Sequence, residues 1–332
     1  MKRLRLPLII LAVAVSLSVA VGFASGHTSS TRATVSGATA LQSNFVSVFK
    51  HVSPSVVQIE TSEGLGSGIV FDTKGDIVTN NHVVGTSKTF TVTTSTGKQY
   101  KGTLVGQFPE DDLAVIKVGA SLRPAAFANS DALQVGDIAM AIGNPLGLQS
   151  SFTEGVVSAT GRDEPEGNNV TLRNAIQTSA AINPGNSGGA LVDIQGRVIG
   201  IPTLAASDPQ LGGAAAGIGF AIPSNDVRDY ASQIIAHGKV INSNRAFLGI
   251  RPGDTGQGVY VGGLTSNGPA AKAGLKVGDV ITAIDGKSTP TLDDLGAVLA
   301  GFKPGQTVSV KFTTQSGPSS SVKITLGELP TS

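Results

Sequence analysis

The sequence predicts a mostly β fold in two units, a larger one built as a barrel or sandwich and a smaller C-terminal one of mixed strands and helices. Three observations carry this reading. Short apolar or alternating runs recur between Gly, Asn and Asp turns from Val56 to Phe220, with no helical period between them. A single amphipathic helix closes that region. A second series of strand and helix patterns then runs from about Ala246 to Leu329.

In chain order, Lys2, Arg3 and Arg5 precede an uncharged apolar run from Leu6 to Ala24. Two readings of residues 1–25 stay open: a signal peptide, with small residues for cleavage in Gly22-Phe23-Ala24 and Ala24-Ser25-Gly26, or an uncleaved anchor of roughly 20 residues. Under both, the basic residues stay cytoplasmic and the body is extracytoplasmic, either membrane-anchored by its N-terminus or periplasmic or secreted after cleavage. Residues 26–40 are small and polar, with too little apolar surface to pack, and read as a flexible spacer.

The β region contains Val56-Val57-Gln58-Ile59, Ser67-Gly68-Ile69-Val70-Phe71, Leu113-Ala114-Val115-Ile116-Lys117-Val118 and Asp137-Ile138-Ala139-Met140-Ala141-Ile142. This is strand spacing without intervening helices, which argues against a parallel α/β sheet. In the closing helix Ser224 stands where an N-cap belongs, and Gly238 where a C-terminal cap does. Val227, Tyr230, Ala231, Ile234 and Ile235 share one face. The larger domain is therefore placed at 41–238, a linker at 239–245 and the second domain at 246–330.

Composition excludes several function classes. Net charge is only +1, and no basic run interleaved with aromatics follows residue 10, so a nucleic-acid partner is not expected. With no cysteine there are no disulfides, thiolate metal sites or thiol nucleophiles. His27, His51 and His237 lie apart from carboxylates at ligand spacing, so no metal or cofactor is expected. Gly64-Leu65-Gly66-Ser67-Gly68 precedes a strand instead of opening a helix, and no Lys-Ser/Thr pair follows it; it reads as a turn near a substrate cleft.

The stretch Asn183-Pro184-Gly185-Asn186-Ser187-Gly188-Gly189 surrounds one hydroxyl with residues that let backbone approach a ligand closely. Acyl transfer needs donors aimed at a developing oxyanion, and the backbone of Gly185, Asn186 and Ser187 offers them, the amides of Gly185 and Ser187 above all. Taken alone, the stretch is equally an ordinary Gly-rich turn. A His and an Asp in the same β region change the balance. His82 follows the run Ile77-Val78-Thr79-Asn80-Asn81, where a strand meets a turn, and suits a general base. Asp112 precedes the strand starting at Leu113 and suits the group that orients the imidazole.

Thr79-Asn80-Asn81-His82-Val83-Val84, Asp112-Leu113-Ala114-Val115 and Ala181-Ile182-Asn183-Pro184-Gly185-Asn186-Ser187-Gly188-Gly189 together resemble the HtrA (Deg) family of trypsin-like serine proteases, in the order His, Asp, Ser. Ala141-Ile142-Gly143-Asn144-Pro145 and Gly217-Ile218-Gly219-Phe220-Ala221-Ile222-Pro223 extend the likeness. The resemblance implies a chymotrypsin-like pair of six-stranded β-barrels, with His82 and Asp112 on the first and Ser187 on the second. It implies catalysis by His82, Asp112 and Ser187 on unfolded or damaged polypeptides, outside the cytoplasm, by a homotrimer. It departs from the family's pattern at Ser179, where an Asp is common, and at Ala190, where a Pro is.

Digestive trypsins place an acid six residues before the serine; here that position is Ala181. The likeness puts pocket walls at 176–182, 200–203 and 217–220, which suits Val, Ala or Leu in the substrate. The segments 162–173 and 204–216 read as loops, either the mobile regulatory loops of the family or plain surface loops. Residues 246–329 resemble a PDZ domain, a small α+β module, through Phe247-Leu248-Gly249-Ile250, Gly268-Pro269-Ala270-Ala271-Lys272-Ala273-Gly274-Leu275 and Val277-Gly278-Asp279-Val280-Ile281. That resemblance implies capture of a C-terminal peptide, its carboxylate held by the loop Phe247, Leu248, Gly249 and Ile250. A different class, a peptide-binding chaperone or stress sensor with mostly latent proteolysis, is the alternative. The Gly185-x-Ser187-x-Gly189 spacing also fits the nucleophile elbow of α/β-hydrolases, but that fold needs Asp and then His after the serine, and only His237 follows.

Overall fold

The computed structural model describes residues 28–62, 64–144, 151–167, 170–183, 185–208, 213–314 and 317–330. The apolar run at 6–24, the segment 145–150 and Pro184 lie outside the described residues. Among the described residues no helix is long and apolar enough to cross a membrane. Residues 44–332 form one compact unit and residues 1–43 another.

Helix α1 covers Thr28–Val52, so most of the segment expected as a flexible spacer is helical instead. The reason lies in its last turns. Phe45, Val48, Phe49 and Val52, spaced three and four apart, pack on the core, and once those turns are nucleated each upstream residue adds a hydrogen bond.

The first barrel comprises β1 (Val56–Glu60), β2 (Leu65–Val70), β3 (Asp76–Asn80), then α2 (Asn81–Val84), β4 (Thr89–Thr93), β5 (Gln99–Phe108) and β6 (Leu113–Val118). It closes in the order β1-β2-β3-β6-β5-β4, with Gln58, Ile59 and Glu60 of β1 opposite Thr93, Val92 and Thr91 of β4. The second comprises β7 (Ile138–Gly143), β8 (Ser151–Gly167), β9 (Val170–Thr178), β10 (Ala190–Val192), β11 (Val198–Asp208) and β12 (Gly213–Pro223). Its order is β10-β11-β12-β9-β8-β7, closed where Leu191 pairs with Ala141. Closure leaves neither sheet an open edge. Parts of 162–173 and 204–216, read as loops, are strand: pairs such as Ser207↔Ala214 and Asp208↔Gly213 carry the ladder outward.

Both barrels have their own apolar filling, Val57, Ile59, Ile77, Val92 and Ile116 in the first and Ala139, Val157, Ile176, Leu191 and Ile199 in the second. A third cluster joins them, with Val56, Ile69, Val78, Phe108, Met140, Ile142, Ile201 and Ile222 packed against helix α3 (Ser224–His237) through Val227, Tyr230, Ala231 and Ile234. This explains why β3 is buried at every position instead of alternating. The helix face and the left-handed Gly238 after it are as the sequence predicts. Ser224 does not cap the helix: the N-cap is Pro223, and the Ser224 hydroxyl donates to Ala128 O at 3.0 Å, tying the helix to the second barrel.

Beyond the irregular stretch 239–245, β13 (Ala246–Phe247) pairs with β20 (Gly327–Glu328). A sheet of β14 (Ile250–Asp254), β15 (Val259–Leu264), β16 (Val280–Ile284), β18 (Thr307–Thr313) and β19 (Ser319–Thr325), with β17 (Lys287–Ser288) beside β16, packs with α4 (Pro269–Lys272) and α5 (Leu292–Ala300). Leu248, Val261, Leu275, Ile281, Leu295 and Val310 form its separate core.

Candidate active site

His82 sits in the one-turn helix α2 directly after β3, and Asp112 in the turn before β6. Those two strands pair with Asn80 opposite Leu113, so the flanking turns are brought side by side. Asp112 adopts φ 49°, ψ 41°, a left-handed conformation that Asp tolerates better than most residues. Its surroundings hold it there: its carbonyl accepts from Asn81 N at 3.0 Å and Asn80 Nδ2 at 3.1 Å.

The Asp112 carboxylate is almost fully buried, whereas the imidazole of His82 is half exposed. Oδ1 accepts from His82 N at 2.9 Å and Oδ2 lies 2.7 Å from His82 Nδ1. An ionised carboxylate only accepts, so Nδ1 carries the proton and Nε2 keeps its lone pair. A further donor, missed at the sequence level, is the hydroxyl of Thr203 on β11, which makes a short hydrogen bond to Asp112 Oδ2. The sequence placed Thr203 only in a pocket wall; nothing in a strand Thr signals such a partner.

Ser187 comes to the same place from the second barrel. Its Oγ donates to Thr203 O at 3.4 Å, so Thr203 touches both the carboxylate and the hydroxyl. Its carbonyl accepts from Ser67 N of the first barrel at 3.0 Å, and Gly188 N donates to Pro202 O at 3.0 Å. Gly188 has φ +77°, and a Cβ there would run into Ser67 O and Thr79 Oγ1; only glycine lets the barrels approach this closely. Of the three expected oxyanion donors, Asn186 is otherwise engaged: its N–H donates to Asn183 O at 3.1 Å. Its buried side chain braces the same turn, through Asn183 N to Oδ1 at 2.9 Å and Nδ2 to Ala181 O at 3.1 Å. That leaves Gly185 and Ser187.

Beside the serine, Ile182 is buried and lies against Gly219, where a Cβ would collide with its Cγ1. Of the two departures, Ser179 follows the end of β9, where its Oγ accepts from Val156 N at 3.0 Å, and the buried Ala190 pairs with Ile142 of β7.

In the C-terminal unit, Phe247, Leu248, Gly249 and Ile250 line a groove of about 250 Å³ with Leu292, Leu295 and Leu299 of α5. Gly249 has φ +78°, and a Cβ on it would lie 2.9 Å from Pro269 Cδ. The carbonyls of Leu248 and Gly249 accept from Ala270 N and Thr265 N at 2.8 and 2.9 Å. Glu110, Arg173 and Arg245 also line the groove. Arg173 donates to Ala300 O at 2.6 Å, and Arg245 pairs with Asp111, next to Asp112, at 2.6 Å.

The chain matches the family described as a trypsin-like peptidase domain over residues 66–201, and the PDZ domain over 246–326. It is 42% identical over 260 residues to the periplasmic serine endoprotease DegP of Salmonella typhimurium, covering 74% of this chain and 53% of DegP. To the serine protease PepD of Mycobacterium tuberculosis it is 39% identical, covering 83% of this chain and 64% of PepD. The chain thus spans between half and two thirds of the length of these curated relatives. Among solved structures, the HtrA-type protease AlgW with a decapeptide superposes with a TM-score of 0.61 at 32% identity, covering 86% of this chain and 99% of the other. A serine endoprotease from Yersinia pestis does so at 0.59 and 34%, covering 86% and 98%. Two closed barrels, a PDZ domain and these likenesses together make the chain a member of the HtrA family of trypsin-like serine endopeptidases.

Proposed function

We propose that this chain is an extracytoplasmic serine endopeptidase of protein quality control, which cleaves unfolded or damaged polypeptides with Ser187 as nucleophile, His82 as general base and Asp112 as orienting carboxylate. The observation that carries the reading is the buried Asp112 carboxylate on His82 Nδ1 at 2.7 Å, bridged by Thr203 to the Ser187 hydroxyl. Ser187 Oγ leaves its long contact with Thr203 O for His82 Nε2 and attacks the scissile carbonyl carbon, while Nε2 takes its proton. The carbonyl oxygen, now negative, accepts from the N–H groups of Gly185 and Ser187. Asp112 stabilises the imidazolium, which passes the proton to the leaving amine; water then enters by the same route and releases the acyl group.

The apolar contact of Ile182 with Gly219 supports cleavage after Val, Ala or Leu, as does Ala181 standing where digestive trypsins place the acid that pairs with Lys or Arg. The PDZ groove supports capture of a C-terminal peptide: the carbonyls of Leu248 and Gly249 are bonded to Ala270 and Thr265, and leucines line the wall. Relatives described as periplasmic, and the basic and apolar N-terminus, support the location. We place the protease domain at 41–238 and the PDZ domain at 246–330, and assign a homotrimer, checked by light scattering.

The test compares the full chain with Ser187→Ala on an unfolded casein-like substrate. Cleavage after small aliphatic residues, falling by several orders of magnitude in the variant, is expected. Equal cleavage by both would overturn the assignment. Dominant cleavage after Lys or Arg would overturn the pocket reading. A wild type that leaves clients uncut, while both proteins suppress aggregation, would favour the chaperone class.

A further inference from the structure

The run Gly64 to Gly68 has no role in the chemistry so far, yet Ser67 within it is fully buried and spends every polar atom on the neighbourhood of the nucleophile. Ser67 lies on β2 of the first barrel. Its N–H donates to Ser187 O at 3.0 Å. Its Oγ donates to Gly185 O at 2.6 Å and accepts from Asn144 N at 2.8 Å, both on the second barrel. Its own carbonyl is held by Thr79 Oγ1 at 2.6 Å.

The consequence concerns one peptide plane. The peptide joining Gly185 to Asn186 has its carbonyl on Ser67 Oγ and its N–H on Asn183 O. Gly185 stands at φ +107° and has no side chain to restrict it. The two donors sit on the peptides either side of this plane, Gly185 N–H before it and Ser187 N–H after it, and a glycine without a side chain leaves the plane free to swing and to re-aim both. With both ends of the plane tied, the Cα atoms of Gly185 and Asn186, from which the two flanking amides project, hold one position. The 2.6 Å separation is at the short end for hydroxyl donors, and the donor, Ser67, is fully buried.

We propose that Ser67 is a positioning residue for the oxyanion site: its hydroxyl, reaching across from the other barrel, locks the Gly185–Asn186 peptide so that the amides of Gly185 and Ser187 point at the substrate carbonyl oxygen. This rests on Ser187 being the nucleophile. It makes the barrel interface part of the catalytic apparatus, since the hydroxyl belongs to one barrel and the donors to the other.

The test uses the full chain with Ser67→Ala and the size-matched, weakly donating Ser67→Cys. Four quantities are measured: kcat and KM on a peptide cleaved after Val, affinity for a peptide boronate whose tetrahedral adduct places an oxygen at the oxyanion site, affinity for a product peptide, and Tm. For Ser67→Ala, kcat should fall about 10- to 100-fold, less than the 10²–10³ lost when an oxyanion donor is itself removed. Boronate affinity should fall by the same factor, with KM and product affinity within about twofold of wild type. Ser67→Cys should lie between, and carries the comparison if Ser67→Ala does not fold. Wild-type kcat in either folded variant, or equal losses in product and boronate affinity, overturns the proposal. Labelling by an organophosphonate separates the two levels: a wild type not modified at Ser187 defeats the nucleophile assignment itself, whatever Ser67 does.

Discussion

Asp226, in the first turn of α3, gives the protein a pH-dependent weakness. Burial pushes its carboxyl up from 3.8 to about 7; the carboxylates of Asp111, Asp131 and Asp229 add to the push, and Arg173 opposes it. An acid with a raised folded-state pKa binds its proton more tightly in the folded than in the unfolded chain. Stability is therefore unaffected below about pH 4, falls as pH rises from there to about 7, and stays reduced above. A shift of about three units corresponds to about 4 kcal/mol. Partial exposure at the helix start, and the attraction of the helix N-terminus for a negative charge, cut this to about 2 kcal/mol. Asp226→Asn removes the charge at constant shape. By calorimetry, suited to a chain without tryptophan, the variant should melt about 4–8 °C above wild type at pH 8. The difference should vanish near pH 4. A difference that does not change with pH, or a variant less stable at pH 8, would refute the reasoning.

Two further substitutions probe the site. Thr203→Val removes the hydroxyl from the buried Asp112 carboxylate; a hydrogen bond to a charged group is worth about 1.5–3 kcal/mol, so kcat should drop about 10- to 100-fold, and a kcat within twofold of wild type would show that Thr203 only fills space. Gly188→Ala puts a Cβ against Ser67 O and Thr79 Oγ1 at φ +77°, and the overlap and backbone strain should cost about 3 kcal/mol, seen as a lowered Tm with loss of activity; an unchanged Tm would mean that the barrels separate more easily than their packing implies.

Much of the candidate site was legible because it is written in residue types. A hydroxyl among glycines, a His after an alternating run and an Asp before an apolar one need no coordinates to be singled out, and His82 and Asp112 do meet, because β3 and β6 pair beside them. The face of α3 was legible for the same reason: the helical period is local. The helix over Thr28–Val52 was not, since a polar stretch helical in continuation of packed turns looks like any spacer. Nor was the use of Ser224, whose hydroxyl goes to Ala128 instead of its own helix end.

By itself the sequence determined the strand-rich architecture and singled out His82, Asp112 and Ser187 as candidates, because each of these depends on residue identity or on periodicity over a few positions. Only the tertiary structure decided which neutral-looking residues lie against them. Thr203 reaches Asp112 across 91 positions and Ser67 reaches Gly185 across 118, contacts that exist only where two closed barrels pack together. A hydroxyl in a strand has the same local signature whether it faces solvent, a packed wall or a buried carboxylate, and its role is set by what the fold brings opposite.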